Sequence, residues 1–181
     1  MANLADLFDS AAARALDAQA SALAGDGGWE LMAQAGLAAW QRLLRHWPQA
    51  LNVGVVVGSG NNGGDGLVLA RHALLAGRRV TALTLPGKPP ATALAQRATS
   101  DFRSVGGTLA EFDGTLPAAD IWVDGLFGLG FDRAPEGAAQ AVIEALNAQD
   151  APVFALDVPS GVDADRATVP GVAVPAALTL Q

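Results

Sequence analysis

Val53-Gly54-Val55-Val56-Val57-Gly58-Ser59-Gly60-Asn61-Asn62-Gly63-Gly64-Asp65-Gly66 decides how this chain is read. The first five residues are short, apolar and mostly β-branched, as expected of a strand buried on both faces. Residues 58–66 then read as a glycine-rich loop, and Leu67 to Leu75 as a helix that Gly77 ends. Strand, glycine loop and helix in that order open a ligand site in an α/β protein. Glycines allow close backbone approach, and a helix N-terminus offers N–H groups to an anion. Asn61 and Asn62 add oxygens and amide donors suited to a phosphate or a hard cation. Gly58, Gly60 and Gly63 match G-x-G-x-x-G, a weak signal by itself. The plain alternative is a Gly/Asn turn in which Asp65 caps the helix. The dense run of Asn, Gly and Asp between a buried strand and a helix disfavours it.

The same alternation continues outward. Strands are expected at Arg79–Leu85, Asp120–Asp124 and Pro152–Asp157, with short edge strands at Thr108–Phe112 and Ala176–Leu180. Helices are expected at Ala91–Val105 and Glu136–Asn147. Two further helices precede the first strand. Asn3–Ala24 carries Leu4, Phe8, Ala11 and Ala15 at helical spacing, and Gly25–Gly28 breaks it. Trp29–His46 lines one side with Met32, Gly36, Ala39, Trp40 and Leu43, and Pro48 closes it. The whole chain thus reads as one domain: a helical extension over 1–48 and an α/β core over 52–181. Strands alternating with helices imply a mainly parallel sheet covered on both faces. Ligands then bind at the carboxyl ends of the strands, near the switch point. Loops 58–66, 124–134 and 157–161 each follow a strand and should converge there.

Asp124 and Asp157 end buried strands, and Ser160 follows the second. Each carboxylate could be a turn or capping group. Together with the Asn oxygens they could also form an oxygen-only site, which suits a hard cation and not zinc or copper. A Rossmann dinucleotide site ordinarily places an acid at the end of its second strand to hold the ribose. Here that region reads Thr84-Leu85-Pro86-Gly87-Lys88, which disfavours an ordinary nicotinamide oxidoreductase. No Gly-Lys-Ser/Thr is present, so a P-loop is excluded. His46 and His72 read as packed or surface residues, and the four Trp as core or interface. Lys88 reads as a solvated loop residue, and Asp163 and Asp165 as a polar turn.

The 181 residues are 51% hydrophobic and 16% charged, a globular composition. No apolar run approaches the roughly 18 residues that span a bilayer. The acidic start is unlike a signal peptide. A formal charge of −7 argues against nucleic acid and anionic lipid as partners. Without cysteine, thiolate chemistry and disulfides are excluded, and a reducing, cytoplasmic setting fits.

Three motifs, 55–66, 123–131 (Val-Asp-Gly-Leu-Phe-Gly-Leu-Gly-Phe) and 156–165 (Leu-Asp-Val-Pro-Ser-Gly-Val-Asp-Ala-Asp), resemble the NAD(P)HX epimerase (YjeF N-terminal) family in order and spacing. Leu16-Asp17 and Leu31–Gly36 resemble it too. The resemblance implies a Rossmann-like three-layer α/β/α fold and an epimerase of NADHX and NADPHX, the hydrated forms of NADH and NADPH. It implies substrate contacts from Asn61, Asn62, Gly63, Gly64 and Asp65, from Gly128, Leu129, Gly130, Phe131, Asp132, Arg133 and Ala134, and from Asp157. It implies potassium (K+) held by Asn62, Asp124 and Ser160, a homodimer, and a companion or fused dehydratase. Epimerising C6 requires breaking and re-forming its C–O bond, or opening and reclosing the ring. Asp157 is the expected catalytic carboxyl. Leu129 stands where the family usually has Thr or Ser. Relatives commonly continue past the last strand, so the sheet is expected to extend beyond Gln181. The rival reading is a non-catalytic nucleotide-binding or dimerisation module of the same fold, which an mRNA-decapping scaffold uses.

Overall fold

The structure, a computed structural model, describes residues 9–23 and 26–181. The expected positions Leu4 and Phe8 lie outside the described residues. Among the described residues eleven elements follow in chain order: α1 (Ser10–Leu23), α2 (Trp29–His46), β1 (Asn52–Val57), α3 (Asn61–Leu75), β2 (Arg79–Thr84), α4 (Ala93–Ser104), β3 (Leu109–Glu111), β4 (Ile121–Gly125), α5 (Ala138–Asn147), β5 (Val153–Leu156) and β6 (Leu178–Leu180).

The six strands form one sheet in the order β3-β2-β1-β4-β5-β6, and every neighbouring pair is parallel. Right-handed crossovers explain where the helices lie. The chain steps from β1 to β2 to β3 in one direction, so α3 and α4 cover one face, with α2 packed beside α3. It then returns to β4 and steps the other way, so α5 covers the opposite face. The first face buries Val53, Val55 and Val57 with Leu67, Leu69 and Phe102. The second buries Val56 and Trp122 with Val142, Ile143 and Leu146 of α5. Gly54 makes room for Trp122, because a Cβ there would stand 2.4 Å from its ring. No described helix is long and apolar enough to cross a membrane.

One boundary differs from the sequence expectation. Helix α3 starts at Asn61, not Leu67, so residues 61–66 form its first turns and only Gly58–Gly60 turn the chain. The glycines are there for contact. A Cβ on Gly63 would lie 2.0 Å from the Gly58 carbonyl oxygen, and one on Gly64 would lie 2.6 Å from the Met32 methyl. Gly66 faces Val55. The N-cap is Gly60, so Asp65 lies inside the helix and is not its cap.

Candidate functional site

Strand order reverses between β1 and β4, and three loops meet beside that reversal. The Gly58 N–H donates to the Gly125 carbonyl at 3.0 Å. A Cβ on Gly58 would stand 1.9 Å from the Leu126 carbonyl oxygen, so only glycine lets these loops touch. From the first turn of α3, the Asn62 Nδ2 donates to the Phe127 carbonyl at 2.6 Å and to the Leu156 carbonyl at 3.2 Å. One side chain therefore links the loops after β1, β4 and β5.

Asp124 is fully buried. Its Oδ1 accepts from the Ser160 hydroxyl at 2.7 Å and from the Leu126 N–H at 3.2 Å. Its Oδ2 accepts from the Ser160 N–H at 2.8 Å. The Ser160 Oγ in turn accepts from the Phe127 N–H at 3.0 Å. Asp124 is thus a structural clamp between two loops, as a turn carboxylate would be. It is also a buried carboxyl to which the described residues give no salt bridge. Burial pushes its carboxyl above the ordinary value, against the lowering effect of the Ser160 and Leu126 hydrogen bonds.

Asp157 leaves the end of β5 with a backbone φ of +65°. Its N–H donates to the Leu180 carbonyl on β6 at 2.7 Å, and its Oδ2 accepts from the Leu129 N–H at 2.7 Å. Gly128 lies directly against it, since a Cβ there would be 2.3 Å from that Oδ2. Asn61 is exposed and oriented by Thr92, whose hydroxyl donates to its Oδ1 at 2.7 Å.

A cleft of about 410 Å³ opens at the ends of β1, β2 and β4. It is lined by Gly58 and Ser59 of the glycine turn, by Leu85, Pro86 and Lys88 after β2, and by Phe127, Phe131 and Arg133 after β4. Phe127 and Phe131 stack with centroids 3.9 Å apart, and the Arg133 guanidinium lies 5.6 Å from the Phe131 ring. Of the expected ligand contacts, Phe131, Arg133 and Ala134 line this cleft. Asn62, Gly128, Leu129 and Asp157 group together at the neighbouring rim. Gly63 and Gly64 are buried against other parts of the chain, while Gly130 and Asp132 are exposed on the loop.

Sequence reasoning missed the Phe127 and Leu156 carbonyls and the Leu126 and Leu129 N–H groups. A main-chain donor or acceptor leaves no trace in residue type. It also missed Thr92, and it gave no sign that Lys88, an exposed loop residue as expected, lines the cleft. His72 sits on α3, where burial and the neighbouring Arg71 hold its imidazole below the usual range. It takes no part in the loop cluster.

A parallel sheet that reverses at β1/β4, with a glycine turn and two strand-end carboxylates at the reversal, defines a Rossmann-like ligand-binding α/β protein. The family described as YjeF-related protein N-terminus matches residues 28–181. The chain belongs to that family. It is 43% identical to an NAD(P)H-hydrate epimerase of Limosilactobacillus fermentum, over 83% of this chain and 72% of that protein. It is 41% identical to a bifunctional NAD(P)H-hydrate repair enzyme of Leishmania braziliensis, over 81% of this chain but 27% of the longer protein. A bifunctional repair enzyme of Coxiella burnetii is 38% identical, over 84% of this chain and 31% of its own length. The crystal structure of the yeast protein YNL200c superposes with a TM-score of 0.82 at 23% identity, covering 97% of this chain and 79% of that one.

Proposed function

We propose that this protein is an NAD(P)H-hydrate epimerase, interconverting the R and S C6 epimers of NADHX and NADPHX so that a dehydratase can repair both. The relatives' names support the reaction. The observation that carries the site is the Asp157 carboxylate at the end of β5, oriented by the Leu129 N–H and packed against Gly128, where no side chain could stand.

In this reading Asp157 acts on the C6 hydroxyl. It gives a proton to the departing oxygen, and water leaves. The ring is briefly cationic beside the carboxylate that has just formed, which stabilises it. Water then adds to the other face of C6 and returns its proton to Asp157. Atoms and charge balance over the cycle. The nucleotide body lies along the rim and the cleft, with Asn61, Asn62 and Asp65 and the loop Gly128–Ala134 as its contacts.

Potassium fits the donor set. Asp124 supplies one carboxylate, and Ser160 keeps a second lone pair on its hydroxyl. Turning the Asn62 amide over would bring its Oδ1 beside the Phe127 and Leu156 carbonyls, giving a group of neutral oxygens. One buried charge among neutral oxygens suits a monovalent cation. Bound there, it would offset the Asp124 charge and hold the three loops in register.

Two of the relatives named above are bifunctional and far longer than this chain, which supports a dehydratase as the functional partner, in trans or fused. We read the working form as a cytoplasmic homodimer. Leu16, Leu31 and Leu37, exposed on α1 and α2, are apolar surface available for it. Sedimentation should give twice the chain mass, and a monomer at micromolar concentration would remove this part of the reading.

The test of the activity is a coupled assay. Purified chain, R-NADHX, potassium and an S-specific dehydratase with its nucleotide should release NADH faster than spontaneous epimerisation allows. A rate equal to the uncatalysed background, from folded protein, would favour the non-catalytic binding module instead.

A further inference from the structure

We propose that Lys88 reads the phosphate on the adenosine ribose and so favours NADPHX over NADHX. This rests on the epimerase reading above. In Rossmann sites the residue that recognises this ribose stands at the end of the second strand: an acid for the diol, a cation for the phosphate. Here no acid follows β2, and the turn after it carries the only lysine in the chain.

The turn is fixed. The Lys88 N–H donates to the Leu85 carbonyl at 3.0 Å. Pro86 and Gly87 occupy its two central positions, and Gly87 has φ +64°, as a type II turn requires. Glu111 on β3 accepts from the Gly87 N–H at 3.0 Å, which anchors the turn from the sheet edge. Lys88 therefore stands on a held turn that lines the cleft, as Arg133 does from the loop after β4. Glu136 lines the same cleft, whose lining thus includes two cations and one carboxylate.

The span is suitable. Lys88 follows β2 and Asp157 follows β5, three strand spacings apart. That is roughly 14 Å along the sheet at about 4.8 Å per strand. Dinucleotides lie across the switch point in this way, with reacting ring and adenosine on opposite sides of the reversal.

Initial rates with R-NADHX and R-NADPHX test this on the wild type, Lys88→Ala and Lys88→Arg. Lys88 is exposed, so neither variant threatens the fold. Lys88→Ala should lower kcat/KM for NADPHX about tenfold, the scale of one charge-assisted hydrogen bond, mainly through KM. NADHX should stay within about twofold, and Lys88→Arg should keep most of the preference. Added salt should erode the NADPHX advantage in the wild type and not in Lys88→Ala. Equal losses on both substrates, or no loss on NADPHX, would overturn the assignment while leaving epimerase activity intact. A wild type that turns over neither substrate would overturn the epimerase reading and this assignment with it.

Discussion

Asp157 holds its backbone in the left-handed region, which ordinarily costs a side-chain-bearing residue about 1–3 kcal/mol and persists only where the surroundings over-determine it. Its N–H on β6 and its carboxylate on the Leu129 N–H supply that constraint. Gly128 is the matching small residue. A methyl there would meet the Asp157 Oδ2, so Gly128→Ala should push the carboxylate aside. We expect turnover to fall at least tenfold, with a melting temperature near that of the wild type. Gly63→Ala should behave differently, because its Cβ would meet the Gly58 backbone oxygen, which cannot rotate away. That variant should lose stability outright, whereas Gly60→Ala, with nothing within 4 Å of its Cβ, should melt close to the wild type. Differential scanning fluorimetry of the three separates these outcomes. At this scale the sequence announces Asp124, Asp157 and Ser160, because polar residues at the ends of buried strands stand out. The partners that hold them are main-chain groups of Leu126, Phe127, Leu129 and Leu156, which no residue type reveals.

Elements were more legible than atoms. Every strand and helix expected from residue 29 onward is present within a few residues, because apolar β-branched runs and helical spacing report burial directly. The one substantial shift is the start of α3. Glycines at 63, 64 and 66 look like loop residues by propensity, yet they are helical because tight packing requires them. The same logic applies where α2 crosses α3. A Cβ on Gly36 would stand 2.4 Å from the Val68 Cβ, so Gly36→Ala should destabilise by about 1–3 kcal/mol despite its better helix propensity. Denaturant melts would measure that. At the other end of the sheet, Asp120 accepts from the Leu51 N–H and from both the main-chain and side-chain nitrogens of Asn52, tying the start of β4 to β1. The Asn52 and Leu51 hydrogen bonds hold its carboxyl below the ordinary range. Its stabilising contribution is therefore present above the unfolded value, about 3.9, and is lost as pH falls through the lower folded value. Asp120→Asn should make acid unfolding less steep in that window. Asp26 and Asp163 are lowered in the same direction, so part of the slope should remain.

The whole molecule gathers its strand-end polar groups beside a reversal of strand order. Three loops far apart in sequence meet there because parallel strands all end on one rim, which is why convergence could be argued from alternation alone. The cleft itself could not, since its walls come from turns whose facing depends on the assembled sheet, Lys88 among them. The buried Asp124 charge makes a further expectation for the intact protein. Potassium should raise the melting temperature more than lithium at equal ionic strength, approaching about 2.7 kcal/mol of stabilisation at a hundredfold excess over its Kd. An identical response to both ions would remove the potassium assignment. The most direct measurement is the approach of R-NADHX to epimeric equilibrium, followed by chromatography with wild type and Asp157→Asn. Asparagine tolerates the left-handed backbone and can still accept from the Leu129 N–H, so the fold should survive. The expected result is rapid equilibration by the wild type and a loss of about 10²–10⁴-fold in the variant, with matching melting curves. A folded Asp157→Asn protein that equilibrates the epimers at the wild-type rate would contradict the placement of the reaction at this carboxylate.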